Sequence, residues 1–133
     1  MPATKAVNSP KVPLPPPNTW SNCKVHGNQF FISGMTARND KNDIDGKGSM
    51  YEQSKVVFGK IKNLVEAAGG KMNDVIKVNI YVTNIRQREE VWKARAEFFS
   101  GEFPCSTLVQ VAALATPDTW VEIEATGFIG GSS

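Results

Sequence analysis

The chain has 133 residues, 41% of them hydrophobic, which is enough for one domain with a real core and too short for two ordinary ones. Fifteen basic and 13 acidic residues are spread along it to a net charge of +2, so no basic stripe announces a nucleic-acid partner, and no apolar run approaches the roughly 20 residues of a membrane span. Prolines stand where a signal peptide would need its apolar stretch, and Cys23 and Cys105 are expected to stay reduced, so the expected location is cytoplasmic.

Residues 1–17 hold six of the eight prolines, including Pro15-Pro16-Pro17, and proline cannot donate to a ladder. They are expected to form a tail whose removal leaves folding nearly intact. Gly130-Gly131-Ser132-Ser133 is expected to fray at the other end, which leaves 18–129 as a single domain. Ser21 to His26 and Gln29 to Ser33 flank the turn dipeptide Gly27-Asn28 and predict a hairpin. A helix is predicted from Ser49, where Ser49-Met50-Tyr51-Glu52 has capping-box spacing. Val57, Phe58, Ile61, Leu64, Val65 and Ala68 share one helical face, and Gly69-Gly70 supplies the stop.

Next, Ile76, Val78, Ile80 and Val82 alternate with Lys77, Asn79 and Tyr81, predicting a strand with one apolar face. A second helix is predicted over Gln87 to Phe99, followed by strands over Thr107 to Ala112 and Trp120 to Phe128. The order ββαβαββ implies an α+β fold with both helices on one face of a mixed sheet. Val121, Ile123 and Ala125 are expected to face the helices, leaving Glu122, Glu124 and Thr126 opposite; in the preceding strand Val109 and Val111 are expected inward and Leu108 and Gln110 outward. That polar second face is either solvated or the place where subunits meet.

Several candidate sites fail on their residues. The segment from Lys41 to Glu52 matches a calcium loop at its third, fifth, sixth and twelfth places, but Lys41 occupies the first ligand position and repels a cation. His26 is the only histidine, so a histidine pair for zinc or for ribonuclease-style catalysis is missing. Gly69-Gly70 follows a helix, whereas a phosphate cradle precedes one. No metal and no cofactor are expected.

The stretch Phe103-Pro104-Cys105-Ser106-Thr107-Leu108-Val109-Gln110-Val111, followed by Val121-Glu122-Ile123-Glu124-Ala125, resembles the carboxy-terminal signature of the Rid family, the YjgF-type reactive intermediate deaminases, also called endoribonuclease L-PSP-like. Gly27 to Gly34, Val65 to Gly70 and Asp74 to Val82 resemble further segments of that family in the same order. The resemblance implies the chorismate mutase-like fold, a homotrimer with clefts between subunits, and hydrolysis of an enamine or imine with release of ammonia. It also implies an arginine that grips the substrate carboxylate and a glutamate beside the reacting centre.

Glu122 takes the glutamate's position and is the expected catalytic residue, unless it serves only to pair with Lys77 or a subunit neighbour. Ser33 and Gly34 match the family's strand end. The departures gather at the pocket: Ser106 replaces the arginine, Leu108 stands where a cysteine is common, Trp92 where an asparagine is, and Trp20 where a tyrosine is. A serine cannot make the two-pronged carboxylate grip. The substrate is therefore expected to be larger or more apolar than 2-aminoacrylate, with Trp20 and Trp92 either stacking on it or packing at an interface. Arg38 is a candidate substitute anchor. Competing readings are a non-catalytic trimer that binds a small metabolite and, weakest, an endoribonuclease. Partners are expected to be a small molecule and other copies of the chain, with neither membrane nor nucleic acid.

Overall fold

The computed structural model describes residues 3–132. Strands β1 (Lys5–Val7), β2 (Cys23–His26) and β3 (Gln29–Met35) precede helix α1 (Met50–Ala67). Strand β4 (Val75–Val82), helix α2 (Arg88–Arg95) and strands β5 (Cys105–Gln110) and β6 (Val121–Phe128) follow. One six-stranded sheet results, in the order β1-β2-β3-β6-β4-β5. Only β4 and β5 run parallel, and both helices cover one face, so the mixed-sheet α+β expectation holds. Chain order puts the last strand in the middle of the sheet and leaves β5 at its edge. No helix among the described residues is long and apolar enough to cross a membrane.

Helix α1 starts where the sequence predicts. The Ser49 hydroxyl accepts from the Glu52 amide at 3.1 Å, but the Ser49 amide donates to the Gly46 carbonyl at 3.0 Å, so only half of the capping box forms. Val57, Phe58, Ile61, Leu64 and Val65 are completely buried, each worth about 1.5–3 kcal/mol of transfer free energy. Gly69 ends the helix at φ +96°, and the Gly70 amide donates to the Val65 carbonyl at 2.9 Å. Helix α2 is shorter than predicted: it ends at Arg95, and Phe98 and Phe99 in the following turn pack against Phe58 with ring centroids 5.7 and 6.1 Å away.

Three expectations are corrected. The proline-rich segment joins the sheet through Lys5–Val7, which pair with β2; Ser9 and Val12 are buried, and the Asn22 amide donates to the Pro13 carbonyl at 2.9 Å. Isolated prolines leave the intervening residues free to form a ladder. At the carboxy terminus, the buried Asp74 carboxylate accepts from the Gly130 and Ser132 amides at 3.2 and 2.8 Å, which ties down the end expected to fray. Burial opposes ionisation of Asp74, yet the Ser132 hydroxyl and the amides of Lys71, Ser132 and Gly130 outweigh it and bring its pKa down to about 2.

The third correction concerns strand faces. Leu108 pairs with the buried Ile80 and is half-buried on the helix side, while Val109 pairs with Tyr81 and is exposed on the other face. Leu108-Val109-Gln110-Val111 carries apolar residues in both phases, and a one-residue shift exchanges the faces. Ile76 is likewise exposed, because the β4–β6 register slips between Val75 and Lys77 and puts Val75 in the core instead. Gly127 permits that slip, since a Cβ there would run into the Asp74 backbone and the Phe30 ring.

Candidate active site

Glu122 lies on the central strand β6 and pairs with Tyr81 on the face away from the helices. The β3–β6 register breaks between Ile32 and Met35, so Ser33 and Gly34 have no partner on β6 beside Glu122. The Glu122 carboxylate occupies the space where a side chain at position 34 would begin, which makes the absence of a Cβ at Gly34 a requirement. A cavity of about 480 Å³ opens over this carboxylate, lined in part by Trp20, Gly34, Arg38, Ile44, Thr119 and Glu122.

Burial raises the pKa of Glu122, and the neighbouring Glu124 carboxylate raises it further. The expected alternative pairing with Lys77 is not made, since Lys77 sits opposite Thr126 and the ion pairs among the described residues belong to Lys47. Glu124 is held instead by the Tyr81 hydroxyl at 2.8 Å and the Asn79 amide at 3.0 Å, so it accepts protein donors while Glu122 is left to the cavity. A carboxylate that is desolvated, lacks a counter-ion and faces a cavity is suited to holding and returning a proton.

The walls are fixed by groups that periodicity alone did not single out. Gln53, on the buried face of α1, donates to the Asp118 carbonyl and accepts from the Trp120 amide, both at 3.0 Å, binding the loop before β6 to the helix. Lys60, also buried on α1, donates to the Thr36 carbonyl at 2.6 Å and to that of Arg38, fixing the segment that leads from β3 into the cavity wall. Burial and the Arg38 charge bring its pKa down to about 8. The readable signal was a polar residue in the apolar stripe of a helix. The Ser33 hydroxyl donates to the Ser21 carbonyl, so it positions the Trp20 loop, and the Trp20 indole donates to Asn22 Oδ1 at 3.2 Å. Arg38 lines the Glu122 cavity and so is not beside Ser106.

The remaining expected residues gather elsewhere. Ser106 pairs with the buried Val78, which pairs with Ala125, so its side chain lies on the helix side of the edge strand. Two strand spacings and three residues separate it from Glu122, about 14 Å, and the two side chains lie on opposite faces. They cannot act on one small molecule within a protomer. The Ser106 hydroxyl instead accepts from Arg95 Nη1 at 2.9 Å. Trp92, one turn before Arg95 on α2, is exposed with the Arg88 guanidinium 5.8 Å from its ring, and Leu108 packs half-buried against the core. Nothing in the sequence marks Arg95, because no local signal brings α2 to β5.

The other sequence candidates have local uses. Asp43 holds Lys47 at 2.7 Å and its own neighbour's amide, and Asp45 accepts from Asn39 at 3.0 Å, which engages two of the three carboxylates of the calcium-like loop. His26 meets the Thr4 hydroxyl at 2.9 Å on the β1–β2 edge, far from both corners. Cys23 is buried and Cys105 exposed, both as free thiols.

Comparison with known proteins agrees with this frame. The family model described as Endoribonuclease L-PSP matches residues 11–129. A 2-iminobutanoate/2-iminopropanoate deaminase of Dermatophagoides farinae is 32% identical over 90% of this chain and 92% of its own. A RutC family protein of Pyrococcus horikoshii is 34% identical over 91% of this chain and 92% of its own. The crystal structure of RidA from the Antarctic bacterium Psychrobacter sp. PAMC 21119 superposes with a TM-score of 0.84 at 30% identity, covering 94% of this chain and 99% of that one. With the family model matching nearly the whole chain and two relatives above 30% identical over nine-tenths of it, the chain belongs to the Rid family, the YjgF or endoribonuclease L-PSP family.

Proposed function

We propose that this protein is a hydrolytic deaminase of an enamine or imine intermediate, acting in the cytoplasm as a homotrimer whose sites are completed between subunits. The observation that carries the reading is the Glu122 carboxylate, partly desolvated and in no ion pair among the described residues, set in a cavity of about 480 Å³ beside Gly34. An enamine first tautomerises to the imine. Water then adds to the imine carbon and one of its protons passes to nitrogen, giving a carbinolamine; the carbinolamine hydroxyl gives up the second proton to nitrogen as the C–N bond breaks, leaving a ketone and ammonia. Glu122 takes each proton from oxygen and returns it to nitrogen.

The substrate is larger or more apolar than 2-aminoacrylate: Pro16, Trp20, Ile44 and Ala115 give the cavity apolar walls. The trimer is supported by the open sheet face, where Phe31 and Val109 are exposed among Lys24, Asn79, Tyr81 and Glu124, and by the separation of the Glu122 and Ser106 corners within one chain. Ammonia release from freshly generated enamines of increasing size tests the reading; turnover in the native protein and its loss in Glu122→Gln are expected. A protein that binds these compounds and releases no ammonia is a metabolite-binding trimer instead. The ribonuclease reading gains nothing from the lone His26, which is placed with Thr4 at the sheet edge.

A further inference from the structure

The guanidinium of Arg95, beside Ser106, has no part in the hydrolysis at Glu122. It is half-buried, and its Nε is shielded from solvent with no hydrogen-bond partner among the described residues. Nη1 is held by the Ser106 hydroxyl at 2.9 Å. No carboxylate among the described residues lies within ion-pair distance of it. An arginine has five donors and stays charged, so burying it costs free energy that a counter-ion would offset. Lys60, the other desolvated cation, is satisfied by two carbonyls, whereas Arg95 has a single neutral hydroxyl.

The surroundings define the missing partner. Trp92 precedes Arg95 by one turn and presents an exposed ring, with Arg88 on its far side. A flat apolar surface between two guanidiniums suits a planar group with an anionic end, and a guanidinium fork matches the two oxygens of a carboxylate. We propose that Arg95, steadied by Ser106, is the carboxylate anchor of this chain, receiving the acid group of the ligand beside Trp92. The inference rests on the deaminase reading for the ligand's chemistry. It also reinterprets Ser106: the positive charge is retained at this corner, but it is carried by the helix and the strand supplies only a brace.

Calorimetric titration of the full-length protein with 2-oxobutanoate, the stable product of 2-iminobutanoate hydrolysis, and with its uncharged analogue 2-oxobutanamide tests this. The native protein should prefer the acid. Arg95→Gln should weaken acid binding by about 10- to 100-fold, the scale of a charged hydrogen bond, and leave the amide unchanged. Ser106→Ala should weaken the acid by roughly 2- to 10-fold. The double variant Arg95→Gln, Ser106→Arg should recover the preference, separating a lost charge from a damaged fold. Equal acid binding by native and Arg95→Gln protein overturns the proposal, as does a folded double variant that stays weak. A change in sedimentation mass on Arg95→Gln also overturns it, because the fork would then be paired with a carboxylate of another copy. Ammonia release with Arg95-independent acid binding removes the anchor and leaves the deaminase; Arg95-dependent acid binding without ammonia release does the reverse.

Discussion

The Glu122 and Ser106 corners are built to different standards. Around Glu122 the chain encloses its own cavity: a central strand, a register break at Ser33 and Gly34, and two loops fixed to α1 through Gln53 and Lys60. Ser106 lies on the edge strand, exposed, with one side-chain hydrogen bond to Arg95 and an exposed tryptophan nearby. The first corner holds a charge that burial disfavours and therefore needs rigid walls. At the second, the Arg95 Nε has no hydrogen-bond partner among the described residues. Each has what the other lacks, and this complementarity is the strongest physical reason to place them together across a subunit boundary.

The comparison can be broken by substitution. The largest expected effect is on turnover, where Glu122→Gln should reduce ammonia release by roughly 100-fold or more, the scale of losing an acid–base group, with the assembly intact by sedimentation. The supporting wall comes next: Gln53→Ala leaves the Trp120 amide and the Asp118 carbonyl without their partner, and a loss of roughly 1–3 kcal/mol in denaturant unfolding is expected along with reduced turnover. Removing residues 1–17 should lower the melting temperature measurably, since the cut exposes the β2 edge and uncovers Val12's packing. Ser106→Ala, by contrast, should change stability by less than about 0.5 kcal/mol, as expected of an exposed edge residue. If it proved as costly as Gln53→Ala, the two corners would not differ as described.

A pH titration of stability sharpens the same contrast. The folded pKa of Glu122 is raised, so its contribution is fully present below the usual glutamate range and is lost as pH rises through the raised value. Glu122→Gln should therefore stabilise the fold at neutral pH even as it removes activity. Asp74 behaves oppositely: its depressed pKa gives stability present above the usual aspartate range and lost as pH falls toward about 2. Asp74→Asn should flatten the acid limb of the melting profile and Glu122→Gln the decline that begins above the usual glutamate range.

How much of this the sequence shows depends on how local the cause is. Helix α1 is legible from Ser49 to Gly69 because cap, stripe and stop are all local signals. The alternation in β6 is equally plain, and Glu122 could be singled out from it together with the family resemblance. What fails is what pairing decides: the phase of β5, the exposure of Ile76 and the joining of Lys5–Val7 to the sheet each depend on a neighbouring strand distant in sequence. Arg95 belongs to the same class, since its meaning comes from Ser106, 11 residues later on a different element. Arg38 carries the charge an anchor needs but lies in the cavity of Glu122, while the cation beside Ser106 comes from α2.

The central claim is that one working site takes Glu122 from one protomer and the Arg95–Ser106 corner from the next. Subunit complementation tests it directly. Glu122→Gln and Arg95→Gln proteins, each impaired alone, are unfolded together, refolded as a mixture and assayed for ammonia release. If the site spans two subunits of a trimer, random mixing restores intact sites to about a quarter of the native number, because each mixed trimer contains one boundary with both native groups. Recovery toward that level is the predicted result. A mixture no more active than the mean of its two components, with mixed assemblies demonstrated, would show that each protomer keeps its own site and would contradict the account.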